Sequence, residues 1–209
     1  MSSNIVITMA RQYGSGGKTI GAMLAKELGI NCYSREILRM ASEESGINER
    51  LFGMSDEKMK GAGWFKILSR PYDGELLPPE DKDFVSEENI FNYQAKIIKD
   101  LAEKESCVIV GRCADYALED FDNCLSVYVH APFEDRIKRI ETEYGIVKEK
   151  SKEVLMKKDK QRSSYYNYYS SNKWGDAKSY DLCLNSSYLG IDGSVEMIKK
   201  VIDMKESQE

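Results

Sequence analysis

The chain has 209 residues, of which 42% are hydrophobic and 31% are charged, and its formal net charge at pH 7 is -5. This length predicts a single domain with a full hydrophobic core, and the acidic balance argues against a nucleic-acid-binding protein, which is typically basic. Five scattered cysteines without a Cys-x-x-Cys pair, together with a single histidine, argue against a zinc cluster.

Short strand-like runs alternate with helical patterns along the chain. Residues 4–9 form a β-branched apolar run typical of a buried parallel strand, and residues 18–28 have helical spacing that ends at Gly29. Further strand-like runs lie at 107–110, 125–129 and 180–184. Further helical patterns lie at 35–45, 87–105, 132–144, 150–169 and 193–204. This alternation predicts an α/β fold in which helices cover both faces of a parallel sheet.

Residues 53–86 interrupt this alternation. They contain three of the four prolines, several glycines and an acidic run near residues 80–83. A structureless loop of this length is uncommon inside a compact domain unless it has a function. We therefore predict an inserted, partly helical flap, and its place before the strand-like run at 107–110 makes it a candidate cover for a substrate.

A glycine-rich segment, Tyr13-Gly-Ser-Gly-Gly-Lys-Thr19, follows the first predicted strand and opens the first predicted helix. Successive backbone N–H groups and the N-terminus of a helix bind phosphates in such loops. Lys18 is expected to reach the β- and γ-phosphates, and the hydroxyl of Thr19 is expected to bind Mg²⁺. The candidate phosphate-binding residues are Gly14, Ser15, Gly16, Gly17, Lys18 and Thr19.

The glycine-rich segment departs from the full motif Gly-x-x-x-x-Gly-Lys-Ser/Thr at one position, because Gln12 stands where the first glycine is expected. Gly14 and Gly16 could supply the backbone freedom instead. An ordinary βα turn and a dinucleotide-binding loop are the alternatives. The Gly-x-Gly-x-x-Gly spacing of a dinucleotide-binding loop is absent, and Lys18 would have no role in such a loop.

Two further features indicate an anionic substrate. Residues 136–162 contain ten Lys and Arg against five acidic residues, and such a local field attracts phosphates. The run Val108-Ile-Val-Gly-Arg-Cys113 places Arg112 after a buried strand, at the sheet edge where α/β proteins bind ligands. An arginine suits a bidentate contact with phosphate, and an ion pair with a surface carboxylate is the alternative.

Four segments, taken in chain order, resemble the cytidylate-kinase-like family. They are Ile-Thr-Met-Ala-Arg-Gln-Tyr-Gly-Ser-Gly-Gly-Lys at 7–18, Val-Ile-Val-Gly-Arg-Cys-Ala-Asp at 108–115, Asp159-x-x-Arg162-x-x-Tyr-Tyr166, and Trp174-Gly-Asp with Tyr180-Asp-Leu-Cys-Leu-Asn185. The resemblance covers nearly the whole chain. It implies a P-loop NTPase fold, a three-layer α/β/α arrangement around a five-stranded parallel sheet. It also implies one kinase domain, 1–209, with an acceptor-binding insert at 34–90 and a helical lid segment at 136–173.

The same resemblance implies roles for particular residues. ATP would bind at Gly14–Thr19 with Mg²⁺, and the phosphate of the acceptor would lie near Arg112. The substrate-binding candidates are Arg35, Arg39, Arg112 and Asp115. The catalytic candidates, which would surround the transferring phosphoryl group, are Lys18, Arg112, Arg136, Arg139 and Arg162. Phosphoryl transfer is catalysed mainly by positioning and by cationic stabilisation, which suits a chain with this many arginines.

Three positions depart from the cytidylate kinases themselves. Residues 33–39 replace the pattern Asp-x-Gly-x-x-Tyr-Arg, Cys113 replaces an aspartate with Asp115 close by, and residues 158–165 replace the lid pattern Arg-Asp-x-x-Asp-x-x-Arg. A nucleoside monophosphate such as CMP or dCMP is the favoured acceptor. A P-loop kinase for a non-nucleotide metabolite and a catalytically inactive ATP-binding regulator remain open alternatives.

The expected partners are small molecules. No apolar stretch approaches the roughly 20 residues that cross a bilayer, and the residues after Met1 show no basic segment followed by a cleavage site. We therefore expect a cytoplasmic protein with reduced thiols that binds neither membrane nor nucleic acid. The sequence does not indicate an oligomeric state.

Overall fold

A computed structural model describes residues 4–58 and 75–207. Within these residues, five parallel strands form one sheet in the order β2-β3-β1-β4-β5. The strands are β1 (Val6–Arg11), β2 (Asn31–Tyr33), β3 (Cys107–Val110), β4 (Cys124–His130) and β5 (Leu182–Asn185). The predicted α/β class and the five-stranded parallel sheet are confirmed.

Helices follow the strands and cover both faces of the sheet. The first four are α1 (Gly17–Leu28), α2 (Glu36–Ser45), α3 (Glu49–Lys58) and α4 (Glu87–Lys104). The others are α5 (Ala114–Ala117), α6 (Phe133–Tyr144), α7 (Lys148–Ser170) and α8 (Ser186–Glu206), with a short 3-10 helix at Ala177–Ser179 before β5. None of the helices in the described ranges is long and apolar enough to cross a membrane.

Alternate residues of β1 pack into separate hydrophobic layers. Ile7 and Met9 belong to the layer covered by α1 and α8, whereas Val6 and Ala10 belong to the layer that includes residues of α2 and α4. This division follows from the period of two in a strand, which directs successive side chains to opposite faces. Both layers surround β1, so its carboxyl end is held from two sides.

Two helices differ from the sequence prediction. Helix α3 begins at Glu49, where no helix was predicted, and it continues past residue 52 into the flap that was predicted to be partly helical. Helix α8 begins seven residues before the predicted 193, because the side chain of Asn185 accepts a hydrogen bond from the N–H of Ser187 at 3.1 Å. Gly190, with φ 72° and ψ 178°, then kinks the helix and disrupts its apolar pattern.

The predicted flap lies partly outside the described residues, since its centre falls at 59–74. Its second part, from residue 75, is tied to α4 by Asn89. The amide of Asn89 accepts a hydrogen bond from the N–H of Leu77 at 2.9 Å and donates to the carbonyl of Phe84 at 2.7 Å. The buried side chain of Asn89 therefore fixes this returning segment against the domain.

Candidate active site

The glycine-rich segment joins the carboxyl end of β1 to the N-terminus of α1, as the sequence predicts. Gly14 and Gly16 both adopt left-handed backbone conformations, with φ 75° and 80°. A Cβ on Gly14 would lie 2.8 Å from the carbonyl oxygen of Arg136, and a Cβ on Gly16 would lie 2.6 Å from Cδ1 of Ile191. The loop therefore needs glycine at both positions, for its backbone conformation and for close packing.

The N-terminus of α1 faces the site without a side-chain cap. Gly16 is the N-cap residue and no side chain accepts a hydrogen bond from the first turn in the capping position. Gly14 to Gly17 are buried, whereas Lys18 and Thr19 are exposed. An uncapped helix N-terminus combines N–H donors with a positive dipole end, and both favour an anion such as phosphate.

Three predicted catalytic arginines contact the backbone of this loop. Their guanidinium groups donate to carbonyl oxygens at the end of β1 and in the loop: Arg162 to Arg11 at 3.2 Å, Arg136 to Tyr13 at 3.3 Å, and Arg139 to Gly14 at 2.8 Å. These bonds come from α6 and α7, the predicted lid segment. Helices α6 and α7 therefore hold the conformation of the glycine-rich loop.

Arg136 occupies a buried position behind the loop. Its guanidinium donates to the carbonyl of Ala131 at 3.1 Å and is paired with the carboxylate of Asp159. Asp159 also accepts the backbone N–H of Tyr13 at 2.7 Å. Arg136 is absent from the described residues that line the cleft, as is Arg139, which lies 3.5 Å from Glu143. Their predicted contact with the transferring group stays a prediction.

A cleft of about 960 Å³ opens at the carboxyl edge of the sheet, beside the loop. Among the described residues, seven cationic side chains line it, against two carboxylates. The cations are Arg11, Lys18, Arg35, Arg50, Arg112, Lys158 and Arg162, and the carboxylates are Glu49 and Asp115. Since the chain as a whole carries -5, this concentration of positive charge singles out the cleft as a site for anions.

Arg112 lies in a turn of unusual backbone conformation. Gly111, Arg112 and Cys113 all have positive φ, at 84°, 66° and 51°. A left-handed conformation costs a residue other than glycine on the order of 1 kcal/mol or more, and such strain is concentrated at ligand sites. The turn ends β3 and presents Arg112 to the cleft, as predicted from its place in the sequence.

The two predicted arginines of α2 have different surroundings. Arg35, at the N-cap position, lines the cleft. Arg39 lies one turn later, is exposed, and pairs with Glu43 at 2.7 Å. It is not one of the described cleft residues, so the structure brings Arg35 to the site and leaves Arg39 on the surface.

Asp115 is partly exposed at the cleft, but protein atoms enclose its carboxyl group. This burial raises the pKa of Asp115 to about 6, although a hydrogen bond from the phenol of Tyr166 opposes the shift. Tyr166 itself is buried in the aromatic cluster of α7. Asp115 therefore titrates within the range where a carboxyl group exchanges protons with a substrate.

Sequence reasoning missed two cationic residues of the cleft. Arg50 lies on α3, a helix that the sequence pattern did not predict. Arg11 is the last residue of β1, but in the sequence it fell between the predicted strand at 4–9 and the glycine-rich segment, and it was given no role. A charged residue at the carboxyl end of a buried strand was the available signal for Arg11.

The chain matches known proteins over nearly its whole length. Residues 6–188 match the model of the cytidylate kinase-like family. A cytidylate kinase of Thermococcus kodakarensis is 29% identical over 201 residues, which are 95% of this chain and 88% of that relative. A cytidylate kinase of Archaeoglobus fulgidus is 25% identical over 207 residues, covering 95% of each chain.

Solved structures share the fold. An uncharacterized protein from Eubacterium ventriosum is 29% identical with a TM-score of 0.70, and the alignment covers 96% of this chain and 99% of that chain. A shikimate kinase from Bacteroides thetaiotaomicron has a TM-score of 0.55 at 12% identity, covering 95% of this chain and 98% of that chain. At that identity the second likeness supports the fold alone.

Proposed function

The chain belongs to the cytidylate kinase-like family and is a P-loop phosphotransferase, and we propose that it transfers the γ-phosphoryl group of ATP to a nucleoside monophosphate, with CMP and dCMP as favoured acceptors. The observation that carries this proposal is the shared cationic cleft. It contains Lys18 of the phosphate loop together with Arg112 of the β3 turn. One cleft thus offers positive charge to a donor and to an acceptor.

The proposed reaction needs little covalent chemistry from the protein. An oxygen of the acceptor phosphate attacks the γ-phosphorus, while the bond from that phosphorus to its bridging oxygen breaks and ADP leaves with the electron pair. A dianionic acceptor phosphate has no proton to lose, so no general base is required. The protein positions both phosphates and stabilises the charge on the equatorial oxygens.

The residues divide between donor and acceptor. On the donor side, Lys18 would contact the β- and γ-phosphates, and the N–H groups of the loop would hold the β-phosphate. On the acceptor side, Arg112 and Arg35 would bind the phosphate of the monophosphate, since both line the cleft. Arg162 would close the site from α7, where it already contacts the carbonyl of Arg11.

The loop suits a magnesium nucleotide. The first turn of α1 has no side-chain cap, and it carries the exposed hydroxyl of Thr19. No group of three or more His, Cys, Asp or Glu in the described ranges is placed to bind a metal ion. Thr19 and phosphate oxygens would therefore hold Mg²⁺. When bound, Mg²⁺ neutralises charge on the β- and γ-phosphates.

A non-nucleotide acceptor is the second candidate, and Asp115 favours it. With its pKa raised by burial to about 6, Asp115 suits a general base that accepts the proton of an attacking hydroxyl group. A phosphate acceptor needs no such base. The departures at 33–39 and 113 from the cytidylate kinase pattern also favour this candidate.

A screen of acceptors with ATP and Mg²⁺ tests both candidates. Each ribo- and deoxyribonucleoside monophosphate, and a panel of hydroxyl-bearing metabolites, is mixed with the protein, and ADP release is followed by a coupled assay. Lys18→Ala protein is the control for contaminating kinases, and ATP binding is measured separately by titration calorimetry. We expect ADP release with CMP or dCMP and formation of the matching diphosphate. Release only with hydroxyl-bearing metabolites would replace the nucleotide acceptor. ATP binding without turnover of any acceptor would support the inactive regulator instead.

A further inference from the structure

Arg11 occupies the space in which a side chain of residue 111 would lie. A Cβ built on Gly111 would overlap Nη1 of Arg11, and it would lie 2.9 Å from Cζ and 3.2 Å from Nη2. The guanidinium of Arg11 therefore lies directly against Gly111. The two strand ends are neighbours, because the N–H of Gly111 donates to the carbonyl of Met9 at 3.0 Å.

The base of the Arg11 side chain also lies where only a glycine leaves room for it. A Cβ on Gly17 would lie 2.7 Å from Cβ of Arg11 and 3.1 Å from its Cγ. Arg11 shares the strand face of Ile7 and Met9, which pack beneath α1. The side chain therefore passes the N-terminus of α1 and ends at the turn after β3, with one glycine making room for it at each end.

This path places the guanidinium between the two halves of the proposed reaction. Gly17 adjoins Lys18, the donor cation, and Gly111 adjoins Arg112, the acceptor cation, and all three cationic side chains line the same cleft. The backbone of Arg11 is fixed as well, since its carbonyl accepts the guanidinium of Arg162 at 3.2 Å. A guanidinium carries five N–H donors in a plane and keeps its charge at any physiological pH.

We propose that Arg11 is a further catalytic residue, whose guanidinium binds the γ-phosphoryl group while it passes from the donor loop toward Arg112. Arg11 forms no covalent bond and transfers no proton. It stabilises the negative charge on the equatorial oxygens of the transferring group. The proposal rests on the proposed function for the reaction, although its contact with the γ-phosphate concerns ATP alone and does not depend on the acceptor.

Nucleotide binding without an acceptor tests the contact directly. Affinities of the wild type, Arg11→Lys and Arg11→Met for magnesium ATP and magnesium ADP are measured by titration calorimetry. We expect Arg11→Met to weaken ATP about tenfold and ADP less than about twofold, because only ATP carries the γ-phosphate. Arg11→Lys should recover part of the ATP affinity. An equal loss for both nucleotides, or no loss, would overturn the proposal.

A second variant displaces the same guanidinium without altering Arg11. Gly111→Ala introduces a Cβ where Nη1 of Arg11 lies, so it should reduce the preference for ATP as Arg11→Met does. Gly29→Ala is the matched control, because Gly29 also has positive φ, at 67°, but a Cβ there meets no atom within 4 Å. In the Arg11→Met background, Gly111→Ala should cause no further loss of preference.

The outcomes separate this proposal from the proposed function. If the wild type binds ATP but transfers phosphate to no nucleoside monophosphate, the acceptor assignment fails while the ATP and ADP comparison still decides the role of Arg11. If Gly111→Ala does not fold, the two Arg11 variants decide it alone. Where an acceptor is found, Arg11→Met should lower kcat by about 100-fold. An effect confined to the KM of the acceptor would contradict the assigned contact.

Discussion

The donor and acceptor halves of the cleft are built differently. The proposed donor half is one continuous segment, Gly14–Thr19, whose backbone would provide most of the contacts and whose Lys18 lines the cleft. The acceptor half gathers side chains from α2, α3, α7 and the turn after β3. A site made of backbone depends on local conformation, whereas a site made of side chains depends on tertiary packing. In the proposed function, donor binding would therefore depend on the conformation of one loop, and substrate choice would depend on the gathered side chains.

Lys18 provides the largest expected effect on the donor half. Lys18→Ala should reduce phosphoryl transfer about 10³-fold, because the cation that neutralises the β- and γ-phosphates is lost. Lys18 is exposed, so the free energy of unfolding should change by no more than about 0.5 kcal/mol. Steady-state kinetics and urea unfolding check both statements. Undiminished transfer would contradict the role given to the whole donor half.

The buried pair behind the donor loop should govern its stability. Arg136→Met leaves the carboxylate of Asp159 buried without its cation, which costs about 3 to 5 kcal/mol of unfolding free energy. Arg139→Met is the control, since Arg139 makes one bond to the loop and pairs with a largely exposed glutamate. It should cost about 1 kcal/mol. Equal losses in urea unfolding would show that the loop does not depend on the buried pair.

Asp115 should make stability depend on pH. Its pKa is raised by burial to about 6, above the value of 3.8 for an exposed aspartate, so the native state holds a proton that the unfolded state has released between pH 4 and 6. Stability from this group is therefore full below pH 4 and falls as pH rises through 6. The total is on the order of 2 to 3 kcal/mol.

Asp115→Asn tests whether stability falls as pH rises, because asparagine keeps an acceptor for the phenol of Tyr166 and cannot ionise. At pH 7 the variant should be more stable than the wild type, and below pH 4 the two should agree. Urea unfolding at pH 4, 5.5 and 7 measures the difference. Glu119→Gln is the control for neighbouring charge, since Glu119 is the acid that raises the pKa of Asp115 from nearby. A constant difference at all three pH values would contradict the assignment.

The arginines at the N-cap and in the first turn of α2 give the smallest expected effect, and comparing them tests the proposed acceptor half directly. Arg35→Met should raise the KM of the acceptor about tenfold with the KM of ATP unchanged, since one charge-assisted hydrogen bond is lost. Arg39→Met removes the same group one turn later, where it pairs with Glu43 on the surface, and should change neither constant. Similar effects of the two variants would remove α2 from the acceptor site.

The sequence predicted what depends on local pattern. Alternating strands and helices indicated the parallel sheet, and the glycine-rich segment indicated the donor loop, because both signals lie within short stretches of chain. The start of helix α3 was not predicted, because the helix runs into a stretch rich in glycine and proline. The early start of α8 was not predicted because Gly190 and Gly193 break its apolar spacing.

The cleft residues that were missed depend on distant partners. The position of Arg11 is set by Gly111, one hundred residues later in the chain, and no spacing rule connects the two. Arg39 was grouped with Arg35 because both follow β2, but Glu43 lies one turn from Arg39 and pairs with it. Pairing choices of this kind depend on which surface each helix presents, which the sequence pattern alone leaves open.

The bonds from α6 and α7 to the phosphate loop have a mechanical consequence. Three arginine side chains bind carbonyls of the loop and of the strand end before it, and Asp159 accepts the N–H of Tyr13. Four attachments therefore join the two helices to the proposed donor loop and its strand. A hinge motion between these two helices and the loop would have to break several of these bonds at once. Any rotation of α6 and α7 is therefore transmitted to the phosphate loop as movement of one rigid body.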